Sequence, residues 1–590
     1  MLLQALVAYA QSELSEDLEE GAFEKKPVRF VLALNGDGKL LALEEPTDPI
    51  QRGKKNVEVP RQMTIPKSPV NRNSGSHPLL AVDDIQYVLG VGEWTEQPQK
   101  EKSERHHAAF QELLRKAAGE TQDTALESAV RFYDQPTEVE KARAALAMRK
   151  AGAGSQVALQ VLGERVIYRP AVRQFWRDHY RRAFGERNEK GGEGFCLISG
   201  RFGPVAPTHN KIKGMASLGG QAAGVSLMSF DKSAFKSYGW DQNANSPVSP
   251  EMASAYVLAL NHLLRPGNRS RFDQGNIAFV YWTREKTDTD LVGMLDRAEP
   301  EQVARLLKVK QDSLYGLRPN EFYFLGVSGN GGRLLVRYWL HETLDEAMGH
   351  VRNWFEGLRM VSAFTGQEGD PPKMWQLRAA IDRKGEPPTH EAVQLLRRAI
   401  HGEPLGAVIL AAALDRLRRA DGKERLRAER IGLIRTCVND QDQKGAGMSE
   451  RLDERQESGA YLCGRLLALY DSLQYAAQGE VNVTVADRYY SLASTYPALA
   501  FPKIADLGEK HKRKLRRDNR GALIRFDGEI GGIMTRLAKE HDAQFPKQLS
   551  LVEQGRFVIG YHHQRASSMA AAMAAKQQKR NSSETEGEQK

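Results

Sequence analysis

Cysteine is scarce in this chain of 590 residues: Cys196, Cys437 and Cys463 are the three present, and they lie far apart. No two have the spacing of a zinc-ligand pair or a redox motif, and three thiols build no disulfide framework. A reducing, cytoplasmic location is therefore expected. Long hydrophobic runs are also missing. No stretch reaches the roughly 18 apolar residues that suggest a membrane span, so no membrane partner is expected. The opening MLLQALVAYAQSELSEDLEE carries no basic region and turns acidic at once, which speaks against a secretion signal.

Catalytic signatures are equally thin. There is no phosphate-binding loop of the Walker type and no nucleophile elbow. His341 and Glu342 begin like a helical zinc motif, but Asp345 stands where the second histidine is needed. Asp273 with Glu285 and Lys286 resembles part of a nuclease set. Such a set needs a carboxylate and a lysine two residues apart on one strand face, and here they are adjacent and diverge. The pairs His106, His107 and His562, His563 sit on predicted helices, where neighbouring side chains diverge, so neither pair can chelate one ion and solvated surface is expected for both. The expectation is a protein that is not an enzyme, with no metal and no cofactor.

What is present is an ordinary globular composition, 41% hydrophobic and 27% charged, with a formal net charge of +9. The length calls for two to four domains. Residues 28–34, 277–283, 321–327 and 333–339 read as strands, and residues 328–332 (SGNGG) as the hairpin turn between the last two. Helical spacing appears at 103–118 and 137–150. Near residue 367 the texture changes to Gly- and Pro-rich. From about 389 to 565 helices dominate, and Leu462, Leu466, Leu469 and Leu473 mark one apolar face. The predicted class is α+β: a mixed domain over 1–366, a linker over 367–390, a helical bundle over 391–565 and a tail without structure over 566–590.

The cations cluster. Arg173, Arg177 and Arg181 step by four along a predicted helix, either tracking phosphates or forming a solvated face. Residues 510–520 (KHKRKLRRDNR) hold seven cations against one Asp, among them Lys512, Arg513, Arg516 and Arg517, a density that asks for a polyanion. Lys211 and Lys213 share one side of an extended segment and precede small residues that let backbone amides approach phosphates. Asn243 and Asn245 belong to an amide-rich run that either reads adenine edges or forms turns. Lys67, Arg72, Asn73 and Ser74 lie in a Pro- and Ser-rich loop of the same character.

The stretches FCLISG (195–200), HNKIKG (209–214), SFDKSAFKSYGWDQNANSPVS (229–249) and ALNHLL (259–264) resemble the large subunit of type I-C CRISPR complexes, the Csd1-like family. GAFEKKPVRFVLAL (21–34), AVDDIQYVLG (81–90), LDRLRRAD (414–421), AYLCGRLLALYDSLQ (460–474) and ADRYYSLAS (486–494) are similar too, in the expected order. The likeness fades over 95–190 and in the tail. The resemblance implies a subunit that binds target double-stranded DNA, reads a short flanking motif, helps form the R-loop and recruits a separate helicase–nuclease, while guide RNA reads the sequence. Its partners would be a crRNA-containing complex with repeated backbone subunits, a 5′-handle-binding subunit and a small subunit. Duplex contacts would fall on the loops 67–75 and 209–245, which include Gln221, with the arginine stripe on the backbone and 510–520 on single-stranded DNA. Competing readings are a stand-alone nuclease and a general nucleic-acid scaffold.

The resemblance also implies that the helical C-terminal part matches the small subunit, which the family makes from an internal start. Met448 follows Lys444-Gly445-Ala446-Gly447, residues whose codons can spell a purine-rich ribosome site, so a fragment of residues 448–590 is expected. Changing the Met448 codon will then remove a short co-purifying band on a denaturing gel, and a band that persists would rule out that start.

Overall fold

A computed structural model describes residues 2–15, 22–52, 55–68, 72, 75–92, 97–149, 151–152, 154–188, 192–308, 320–420, 422–442, 447–541 and 545–587. The protein is α+β. Strands fall within residues 23–343, and among the described residues everything regular beyond 343 is helical. The chain divides into two compact units, residues 1–268 with 329–335, and residues 269–328 with 336–590. Residue 366, where the sequence texture changes, lies inside the second unit.

The first unit is built on a sheet in which Leu40–Glu44, Phe30–Leu34, Gln156–Val161 and Val82–Asp84 lie side by side in that order. Phe30–Leu34 runs parallel to Gln156–Val161, with Phe30 opposite Val157 and Leu32 opposite Leu159. A central strand with a parallel neighbour is covered on both faces, which is why FVLAL is buried throughout and shows no alternation. Helices Gln97–Thr121, Thr124–Tyr133 and Pro170–Asn188 contribute Phe110, Leu126, Phe132 and Trp176 to the same core. Trp176 donates its indole N–H to the carbonyl of Ala22 at 2.7 Å, which satisfies the polar atom of a fully buried ring.

The second unit opens with a four-stranded sheet in the order Arg271–Gln274, Ile277–Thr283, Glu321–Asn330, Arg333–Thr343. Helices follow. The helix Gly459–Gln478 is the axis of the bundle, and Leu462, Leu466, Leu469 and Leu473 are all buried. So are Tyr461, Cys463, Leu467 and Ala468, so this helix is enclosed on every side rather than along one stripe. It packs tightly on the helix Leu551–Gly587. Gly464 and Gly560 face each other's helix there: a Cβ on Gly464 would stand 2.0 Å from the carbonyl oxygen of Phe557, and one on Gly560 2.2 Å from that of Tyr461.

Two expectations need correction. The segment from 566, expected to lack structure, continues the Leu551–Gly587 helix. Its alanines cost the least of any residue to hold in a helix, so composition poor in aromatics did not prevent one. The histidine pairs are not solvated surface. His562 and His563 are buried; His562 donates to the carbonyl of Val361 at 2.8 Å, and His563 is hydrogen-bonded to the Tyr461 hydroxyl at 3.0 Å. His106 is buried against Tyr87, ring centroids 4.3 Å apart, and His107 donates to the carbonyl of Tyr87 at 2.9 Å. Adjacent side chains diverge as expected, but each finds its own interior partner. Burial holds His562 and His106 down at about 4, so both stay neutral near pH 7.

Candidate nucleic-acid interface

The richest cluster of sequence-predicted residues lies in the first unit, between the strand Glu193–Phe195 and the helix Pro250–Leu263. Lys211 and Lys213 flank Ile212, whose N–H and carbonyl both bond to Val225 at 2.8 and 2.9 Å. Alternation then buries Ile212 and leaves both lysines exposed. The side-chain amide of Asn261 grips the main chain on both sides, accepting from the Lys213 N–H at 2.7 Å and donating to the Lys211 carbonyl at 3.4 Å. Their ammonium groups donate to Ser226 Oγ at 2.8 Å and to the Ala223 carbonyl at 2.7 Å.

The glycines that follow do a different job from cradling phosphate. The Gln221 N–H donates to the Gly331 carbonyl at 2.9 Å, and the Gly331 N–H to the Gly219 carbonyl at 3.0 Å. A Cβ on Gly329 would stand 2.3 Å from the Gly220 nitrogen. The glycine-rich turn and the glycine-rich loop are therefore stitched backbone to backbone, an approach only glycine permits. The Gln221 residue itself is exposed on this loop.

The amide run resolves toward turns. Asn243 is buried, 1% exposed, and its Nδ2 has no hydrogen-bond partner among the described residues. Asn245 accepts from the Ser237 N–H at 2.7 Å and donates to the carbonyls of Trp240 and Gln242 at 3.0 and 2.9 Å. It closes the loop it sits in, as Asn side chains commonly do.

Sequence reasoning missed what this folding leaves outside. Tyr238 is 92% exposed, Trp240 51%, Phe195 66% and Phe202 60%. Tyr238 and Trp240 stand 5.9 Å apart, and Phe195 and Phe202 meet edge to face at 5.2 Å. The available signal was SYGWDQN itself, aromatics set in a polar run with no period to place them in a core. Arg333 was also missed; its guanidinium lies 4.0 Å over the Phe235 ring and 3.5 Å from Asp231.

Of the segment 67–75, the two described cations are held from within. Lys67 is half-buried, and that burial lowers its ammonium from the ordinary value. Arg72 pairs with Asp83 at 2.7 Å and lies 4.4 Å over the Tyr87 ring. Asp83 is fully buried and also accepts from the Leu79 N–H at 2.7 Å. Arg72 thus holds an interior acid in place and serves as its counter-charge once Asp83 ionises. Asn73 and Ser74 lie outside the described residues. Burial pushes Asp83 up to about 7 against the pull of Arg72. The folded state then holds a proton that the unfolded chain releases near 3.8, so this group's contribution is full at low pH and is lost as pH rises from about 4 to about 7. Chemical denaturation of wild type and Asp83→Asn across that range should show the wild type losing ground by about 1.4 kcal/mol per pH unit, then levelling. A difference that does not vary with pH would refute it.

Arg173 and Arg177 occupy the helix Pro170–Asn188, as does Arg181. Arg173 lies 4.3 Å over the Phe23 ring, and Arg177 donates to Gln174 Oε1 at 3.1 Å. Both are half-buried. In the second unit, residues 510–518 end the helix Pro497–Asp518. Lys512 is taken up by Glu509 and Asp527, each at 3.0 Å. Arg513, Lys514, Arg516 and Arg517 are exposed, and among the described residues no ion pair engages them. Asp273 is held by Arg271 at 2.8 Å.

Among the described residues no helix is long and apolar enough to cross a membrane. A family model for CRISPR-associated proteins, Cas_Csd1, matches residues 6–569, so the chain belongs to that family. It is thereby a Cascade-type CRISPR protein of the large-subunit, Csd1-like kind, as the resemblance implied. No curated protein matches it.

Proposed function

We propose that this chain is the DNA-engaging large subunit of a type I-C surveillance complex. It grips the target duplex, reads the protospacer-adjacent motif, aids R-loop formation and recruits a helicase–nuclease in trans, while catalysing no reaction itself. It works in the cytoplasm with a crRNA-bearing assembly of backbone, 5′-handle-binding and small subunits, the last supplied by the internal start at Met448.

The observation that carries this reading is the exposed Lys211 and Lys213 pair, set by Asn261, in a segment that further along also exposes Tyr238 and Trp240. Cations fix a phosphate backbone without reading sequence. Exposed rings offer faces on which parted bases stack, worth about 1–3 kcal/mol per base. The two together suit a surface that meets a duplex and then holds what opens. Asn243 and Asn245 support the loop's shape, and Arg72 supports its neighbour.

The test uses the assembled complex and a duplex carrying the flanking motif. Lys211→Ala with Lys213→Ala should weaken binding and reduce the slope of log affinity against log salt by about 2. Tyr238→Ala with Trp240→Ala should leave that slope and weaken binding of the opened target about tenfold or more, by loss of stacking. An unchanged slope in the lysine variant would overturn the assignment.

A further inference from the structure

Three chelating side chains converge in the second unit from places far apart in the chain. Glu342 lies next to the end of the strand Arg333–Thr343, His350 lies in the helix Leu344–Leu358, and His401 is the last residue of the helix Thr389–His401. Thr343 caps the middle element through a capping box with Glu346, which fixes how the chain turns from Glu342 toward His350.

The distances suit one ion. His401 Nδ1 lies 3.2 Å and His350 Nε2 3.7 Å from Glu342 Oε2, and one donor atom of each residue lies within 4.8 Å of the others. A tetrahedral metal with bonds of about 2.0–2.1 Å has edges of about 3.3 Å, so two edges of the triangle are nearly in place and the third must close.

One feature points to a missing ligand and a second shapes the site. The Glu342 side chain is only 9% exposed, and its second oxygen, Oε1, is buried with no hydrogen-bond partner among the described residues. A buried carboxylate oxygen left unpaired is costly, and a cation held by both carboxylate oxygens removes that cost. Gly402, at φ +72°, clears space for the ring opposite: a Cβ there would stand 2.5 Å from His350 Nδ1. The nearby guanidinium of Arg398 is engaged by Asp440 at 2.8 and 3.0 Å, and Glu346 is engaged by Thr343.

We infer that Glu342, His350 and His401 bind a first-row divalent cation, zinc foremost, with water completing the coordination on the side where His401 is exposed. Two imidazoles and one carboxylate are a ligand set zinc accepts, and a site with three protein ligands keeps an open position. The ion ties one strand to two helices, so it acts as a clasp within this unit. The inference is independent of the DNA reading, and neither result bears on the other.

The full-length chain, stripped with chelator, is titrated with Co²⁺ as a spectroscopic probe and with Zn²⁺ in competition. One equivalent should bind with a visible d–d band, and Zn²⁺ should displace it and raise the melting temperature. Glu342→Gln and His401→Gln should each lower affinity by more than the 10–100-fold that loss of an outer partner costs. In the wild-type chain, so that no variant has to fold, Zn²⁺ should protect His350 and His401 from diethylpyrocarbonate, read by peptide mass spectrometry. Absence of a stoichiometric site, unprotected His350 and His401, or equal binding by folded variants would each overturn the assignment and leave a hydrogen-bonded Glu342–His401 pair with His350 beside it.

Discussion

Gly464→Ala will destabilise the helical bundle by about 3 kcal/mol, although it adds a single methyl group to a helix that otherwise favours alanine. The reason is what the methyl meets. It would stand 2.0 Å from the Phe557 carbonyl oxygen and 2.8 Å from the Tyr561 nitrogen, both main-chain atoms that no rotamer change can move. A carbon and a carbonyl oxygen need about 3.3 Å, so the helices Gly459–Gln478 and Leu551–Gly587 must part by about 1.3 Å. Separation would loosen the buried Tyr461, Leu462, Leu466, Phe557 and Val558 together. Gly560→Ala presses on the same seam from the other side, 2.2 Å from the Tyr461 carbonyl. The double variant should therefore lose less than the sum of the two, because one separation accommodates both methyls. Urea unfolding followed by circular dichroism measures this. A midpoint equal to wild type in either single variant would mean that the helices are not in main-chain contact.

The second large effect concerns the end of the helix Pro497–Asp518. At 100° per residue, Lys510, Arg513, Lys514 and Arg517 fall within an arc of about 100°, while His511, Leu515 and Ile504 are buried on the other side. The stripe spans roughly 10 Å of helix, a length over which a duplex carries about six phosphate charges, so four cations do not exceed their possible partners. Replacing Arg513, Lys514 and Arg517 by alanine should reduce the salt slope for single-stranded DNA by about 2, at roughly 0.7 per cation. The wild type's advantage should then shrink about twentyfold between roughly 50 and 200 mM salt. Lys512→Ala is the contrast. Its ammonium is shared by Glu509 and Asp527, so its loss should lower stability and leave the slope nearly unchanged. Equal slopes for the triple variant and wild type would remove single-stranded DNA as the occupant of this stripe.

Much of the architecture was legible because it rests on local pattern. VRFVLAL and IAFVYWT are apolar runs too short for helices; the second is a strand throughout and the first from Phe30 on. The leucine spacing found the axis of the bundle but understated its burial, since Tyr461 and Cys463 lie between the leucines and turn to other neighbours. Charge density found the 510–520 stripe without distinguishing Lys512, which is paired, from Arg513, which is not; pairing with Asp527 is made across helices and leaves no local mark. The asparagines were read as open to two roles; the bonds of Asn245 show the turn role, and Asn243 is buried. His562 and His563 were misplaced because helical geometry says only that neighbours diverge, not that both directions lead inward. The triad of Glu342, His350 and His401 was invisible to motif reading, because its third member comes from a helix 59 residues beyond the first.

Asn261 separates two properties that usually change together. The amide fixes where the ammonium groups of Lys211 and Lys213 start from, but contributes no charge of its own. The number of counterions shed is a matter of how many cations arrive, whereas the free energy of ordering them is a matter of how firmly they are already held. In this loop the first belongs to the lysines and the second to a neutral side chain on the next helix, so the steepness of an ionic-strength curve and its height are written into different residues.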